Sequence, residues 1–90
     1  MNTKKQESLI GFKKANGLIS KIIEMAEKDE YCIDIMQQNL ALLGLLRSAH
    51  KSLMEGHLAT CFKAAMAANN EAKKKKMVQE ILKVTNWSNK

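Results

Sequence analysis

From Ser8 to about Lys28, apolar residues recur at Leu9, Phe12, Ala15, Ile19, Ile22 and Ala26. This three-and-four spacing marks one face of an α-helix. The segment Lys28-Asp29-Glu30-Tyr31 interrupts it, with Asp29 suited to the N-cap of a new helix and the nearby acids suited to its dipole. A second helical pattern runs through Ile33, Met36, Leu40, Leu43, Leu46, Leu53, Met54, Leu58, Cys61 and Ala65. Gly44 and Gly56 weaken it locally without ending it. Asn69-Asn70 closes that stretch and offers a fresh cap, and Met77, Val78, Ile81, Leu82 and Val84 mark a third helix. The pattern predicts a single all-α domain over residues 1–90, with helices over about 8–28, 30–68 and 71–85 and fraying from Asn86.

The second pattern decides the architecture. At 1.5 Å per residue its 39 positions span roughly 58 Å, whereas a compact chain of 90 residues has a radius of gyration near ~12 Å. One chain cannot cover such a rod, so another copy must bury its apolar stripe, giving a helical bundle shared between chains.

Composition agrees with helices: 46% hydrophobic residues, 4% aromatic and no proline. There is no strand alternation and no internal repeat. No apolar run reaches signal-peptide or membrane-span length, which leads us to expect a soluble, cytoplasmic protein with no membrane partner. Gly-rich phosphate loops, paired catalytic carboxylates and a Ser-His-Asp set are lacking, so the chain does not read as an enzyme. The net charge of +6 favours an anionic partner. The run Lys73 to Lys76 reads first as a solvated helix face, although lysines in a first turn oppose the helix dipole and a bound anion would relieve them.

Two cysteines and two histidines carry the candidate chemistry. At about 100° per residue, Cys32, His57 and Cys61 share one stripe of the second helix, His57 and Cys61 lying roughly 20° to either side of Cys32. Within one chain, 25 residues of helix would hold Cys32 about 38 Å from His57. Two copies packed antiparallel about a two-fold axis near Leu45 would instead bring Cys32 of one chain against His57 and Cys61 of the other, with Gly44 permitting close approach. Two thiolates and an imidazole form a soft, three-coordinate set suited to Cu(I), whereas zinc would want a fourth ligand. Spacing alone leaves open a blander reading, in which both cysteines pack and His57 is a hydrogen-bonded interior histidine. His50 and Asn39 fall on the same stripe and read as a polar pair that fixes register. The six methionines read as packing residues.

The stretches KKANGLISKI, EKDEYCIDIMQQ and LLRSAHKSLMEGHLATCF resemble the copper-sensing operon repressor (CsoR) family, whose members also include nickel/cobalt, formaldehyde and persulfide sensors. The resemblance runs from about Phe12 to Phe62. It implies an antiparallel helical dimer assembling to a homotetramer that binds operator DNA without a helix-turn-helix and releases it on binding Cu(I). The implied metal ligands are Cys32 of one chain with His57 and Cys61 of the other, and Tyr31 matches a tyrosine beside them. Nickel/cobalt members use histidine at the position of Cys61, formaldehyde members need a proline beside the first cysteine, and persulfide members lack the histidine matched by His57. The copper type therefore fits best; a persulfide or redox sensor using Cys32 and Cys61, or a copper buffer without DNA regulation, is the alternative. Two departures stand out. Met77 occupies the place of a coupling glutamate, with Glu80 the nearest acid, and Leu18 and Ser20 stand where the family carries Gln and Arg. For the DNA we expect Lys4, Lys5, Lys13, Lys14 and Arg47 to form a basic surface touching phosphates.

Overall fold

A computed structural model describes the backbone of residues 3–88 and the side chains of residues 3–85. The described residues are helical with no strand: α1 spans Thr3–Glu27, α2 spans Cys32–His57, a π-helical turn covers Leu58–Phe62, α3 spans Lys63–Ala67 and α4 spans Glu71–Ser88. The all-α expectation holds, with three long helices. Residues 1–2 and 89–90 lie outside the described residues, the latter including the end of the segment expected to fray. The backbone forms two compact units, residues 1–56 and 57–90.

In the first unit α1 begins five residues before the periodic pattern does. Its opening turn is polar, and ion pairs hold it: the Lys4 ammonium lies 3.0 Å from Glu55 near the end of α2 and 3.5 Å from Glu7. Each carboxylate, Glu55 foremost, pushes the Lys4 ammonium above its ordinary pKa, and Lys4 in turn holds Glu55 below the usual carboxylate range. Both groups are solvent-exposed, so the pair fixes geometry more than it adds stability.

Where α1 ends, Asp29 takes a left-handed conformation (φ 54°). Its amide donates to the Ala26 carbonyl at 3.1 Å, and the Glu30 amide donates to the Met25 carbonyl at 3.0 Å. These are the paired bonds of a Schellman motif, which satisfies the last carbonyls of a helix. Asp29 therefore closes α1 rather than capping α2, correcting the N-cap expectation. The start of α2 falls to Tyr31, whose carbonyl accepts from the amides of Asp34 (3.0 Å) and Ile35 (3.2 Å).

The seam between α1 and α2 differs from the apolar face read in the sequence. Ser8, Ala15 and Met25 of α1 are buried, and so are Leu42, Ala49 and Gly56 of α2. Most of these are small, and Ser8/Ala15 and Leu42/Ala49/Gly56 recur at seven-residue spacing, so one seam faces its partner helix turn after turn. Of the six α1 residues in the expected face only Ala15 is buried; Ile22 is half-buried, while Leu9, Phe12, Ile19 and Ala26 are exposed. The reason is steric. Small residues let two backbones approach closely, and at that distance bulky Phe12 and Leu9 fit only beside the seam. The buried Ser8 hydroxyl donates to the Lys5 carbonyl one turn back at 2.6 Å, so its burial leaves no unsatisfied polar group.

In the second unit helical conformation continues from the π turn into α3 and stops at Ala68, which is extended (φ −73°, ψ 143°). Asn70 then caps α4, its side-chain oxygen accepting from the Lys73 amide at 3.1 Å. The Asn69-Asn70 reading is thereby borne out. α3 packs against α4; Ala65 is buried, and Met66, Met77, Ile81 and Val84 are half-buried.

Candidate metal site

The stripe of α2 beside the seam is left uncovered. Ile33, Met36, Leu40, Leu43 and Leu46 are all exposed, Leu40 to 67%. On the same flank Phe12, Ala15, Asn16 and Ile19 of α1 and Leu42 and Leu46 of α2 line an open groove of about 380 Å³. A second groove, of about 240 Å³, continues past Phe12 along Ser8, Leu9 and Leu53. A run of large aliphatic side chains this long is the mark of an interaction surface.

The candidate ligands are distributed along the helical backbone. Cys32 opens α2, where the interruption at Lys28 to Tyr31 places it in the first turn. His57 closes α2 and is half-buried, and Cys61 lies in the π turn. The π turn is invisible to periodicity, because one widened turn scarcely shifts an apolar pattern. Its effect on the pair is direct. An α-helix overshoots a full revolution by about 40° in four residues, and the wider i→i+5 turn reduces the rotation per residue across that step. Cys61 therefore does not stand at the angle from His57 that α-helical spacing gives.

Cys32 and Cys61 are free, exposed thiols. The Thr60 hydroxyl donates to the Cys61 Sγ at 3.7 Å. Among the described residues of one chain, no group of three or more His, Cys, Asp or Glu side chains gathers to hold a metal ion. Tyr31 is 69% exposed, and Glu80 is exposed on α4, with Met77 half-buried. His50 and Asn39 are exposed on α2.

The expected DNA-contact residues divide into two groups. Lys13, Lys14 and Arg47 are exposed, whereas Lys4 is engaged by Glu55 and Glu7. Lys5 is exposed and lines the second groove. The Lys4 to Glu55 pair was missed in the sequence, where Lys4 lies ahead of the first periodic residue and nothing local links it to a glutamate some fifty positions on. No helix among the described residues is long and apolar enough to cross a membrane.

These features define an all-helical protein with two exposed thiols and an uncovered apolar flank. The chain belongs to the metal-sensitive transcriptional repressor family, whose sequence model matches residues 4–86. It is 39% identical over 66 residues to the copper-sensing transcriptional repressor CsoR of Mycobacterium ulcerans, an alignment covering 73% of this chain and 56% of that one. Against the CsoR of Mycobacterium tuberculosis it is 35% identical over 66 residues, with the same coverage. The copper-sensing repressor RicR of Mycobacterium tuberculosis is 36% identical over 55 residues, covering 61% of this chain and 57% of that protein. The chain thus spans a little over half the length of the curated relatives it matches. The family read from the cysteine and histidine motifs is borne out, and it is a family of repressors, not enzymes.

Proposed function

We propose that this protein is a Cu(I)-responsive repressor that binds operator DNA when metal-free and releases it when Cu(I) occupies a site shared between two chains. The observation that carries this reading is the uncovered apolar flank of α1 and α2, with Cys32 exposed on α2. A second copy packed antiparallel on that flank would bury Leu40, Leu43 and Leu46 and set Cys32 of one chain against His57 and Cys61 of the other. Two such dimers would form the tetramer.

The donor set fits the ion. Both cysteines are free thiols and His57 can offer a neutral imidazole, a soft trio matched to Cu(I). Bound there, the ion would supply a bond between two chains, and because thiols must lose protons to ligate it, binding would release protons. Tyr31, next to Cys32, and Glu80 on α4 would support the ligands. Metal binding would favour a bundle conformation of lower DNA affinity; a coupling of about 1 to 3 kcal/mol corresponds to roughly 5- to 150-fold. Phosphate contacts would come from Lys13, Lys14 and Arg47, with Lys4 and Lys5 joining them where Lys4 leaves its carboxylates. The protein would act in the cytoplasm, where operator DNA lies.

The free, exposed state of both thiols also supports a second reading, a persulfide or redox sensor using Cys32 and Cys61. One titration separates the two. Operator affinity is measured alone, with one equivalent of Cu(I) per chain, and with a sulfane-sulfur donor. Loss with Cu(I) alone supports the copper sensor; loss with the sulfur donor alone replaces it. Tight Cu(I) binding with unchanged DNA affinity would leave a copper buffer.

A further inference from the structure

The two units carry very different charge. Residues 1–56 hold eight basic and seven acidic side chains, a net of +1, while residues 57–90 hold seven lysines against two glutamates, a net of +5. Nearly all the chain's excess positive charge thus belongs to the unit that contains α4, not to the one that carries Lys13, Lys14 and Arg47. We propose that the basic face of α4 is a second surface for the DNA phosphate backbone, a reading that rests on the repressor function above and adds a contact site to it.

At about 100° per residue, Lys75, Gln79, Lys83 and Lys76 fall within an arc of roughly 100° on α4, an arc that no carboxylate enters. Glu80 and Lys73 lie at one edge and Glu71 beyond the other. Lys75 and Lys76 are exposed, and no ion pair engages either among the described residues; the lysine of the run that is paired, Lys74, meets Glu71 at 3.4 Å away from this arc. The cluster works against its own helix. Four lysines in the opening turns oppose the dipole, and Asn70 already satisfies the Lys73 amide. The ammonium groups, rather than helix-end amides, are what this face offers a ligand. Lys75, Lys76 and Lys83 on one face of a single helix offer several positive charges to the phosphates of a duplex.

The test compares two double substitutions of equal charge, Lys75→Gln/Lys76→Gln on the arc and Lys73→Gln/Lys74→Gln off it. Binding to operator duplex and to a random 30-base-pair duplex is measured across salt concentrations. The arc variant should lower the slope of log affinity against log salt by about 1.8 for each α4 engaged, on both duplexes, while the off-arc variant changes it less. Its melting temperature should hold or rise, because two charges opposing the dipole are gone. An unchanged slope in the arc variant, or equal losses in both variants, overturns the α4 surface while leaving the repressor reading intact. An arc variant that keeps its DNA slope but loses binding to phosphatidylserine vesicles overturns it in favour of a membrane surface. If the unaltered protein binds neither duplex, the repressor reading falls and this one with it.

Discussion

Gly11 of α1 and Ala49 of α2 meet at the crossing of the two helices, where a Cβ on Gly11 would come within 3.2 Å of the Ala49 Cβ and 3.8 Å of its Cα. Ala49 is 3% exposed and cannot move aside easily. Gly11→Leu should therefore lose about 1 to 3 kcal/mol of stability through overpacking. Gly17, with nothing within 4 Å of an added Cβ, should gain up to about 1 kcal/mol on replacement by Ala. Denaturant unfolding of the two variants checks both; equal effects would mean that the crossing is not closely packed.

Asp29 should behave as a left-handed helix terminator. With φ at 54°, Asp29→Gly should hold or raise stability, and Asp29→Val should lower it by about 1 to 2 kcal/mol. A valine variant as stable as the parent would place the chain break elsewhere.

Leu43 and Gly44 distinguish a lone chain from an assembled one. Leu43 is 45% exposed, so Leu43→Lys should change an isolated chain by about 0.5 kcal/mol or less. If a second copy covers the flank, the same change should dissociate the assembly and lower its melting temperature. Gly44→Leu, on the same helix and with nothing within 4 Å of an added Cβ, should weaken association likewise. Sedimentation equilibrium reads both; an unchanged assembly mass in both variants would remove this flank from the interface.

The helices were legible in the sequence because their signals are local. Three-and-four periodicity, the polar break at Lys28 to Tyr31 and the Asn69-Asn70 pair each act within a few residues. What escaped was set by tertiary contact. The polar opening of α1 is ordered by Glu55 of another helix, and the seam follows Ser8, Gly11 and Ala15 because close backbone approach selects for size rather than hydrophobicity. The π turn escaped for a different reason: it inserts into the Leu58 to Phe62 stretch without altering which residues are apolar. For the candidate site, the residue types were legible in EYCID and EGHLATC. The π geometry between His57 and Cys61 was not.

The shared site makes a demand that no single-chain site makes. A Cys32→Ser chain and a His57→Ala/Cys61→Ala chain each lack part of the ligand set, and neither alone should bind Cu(I) tightly. Mixed and allowed to exchange subunits, they form heterodimers in which the first chain's His57 and Cys61 face the second chain's Cys32, restoring one of the two sites. Cu(I) titration of the mixture against a competing chelator is the decisive measurement. Tight binding in the mixture at about one ion per heterodimer, absent from either variant alone, is the predicted result; a mixture that has exchanged subunits yet binds no more tightly than its components would contradict the shared site.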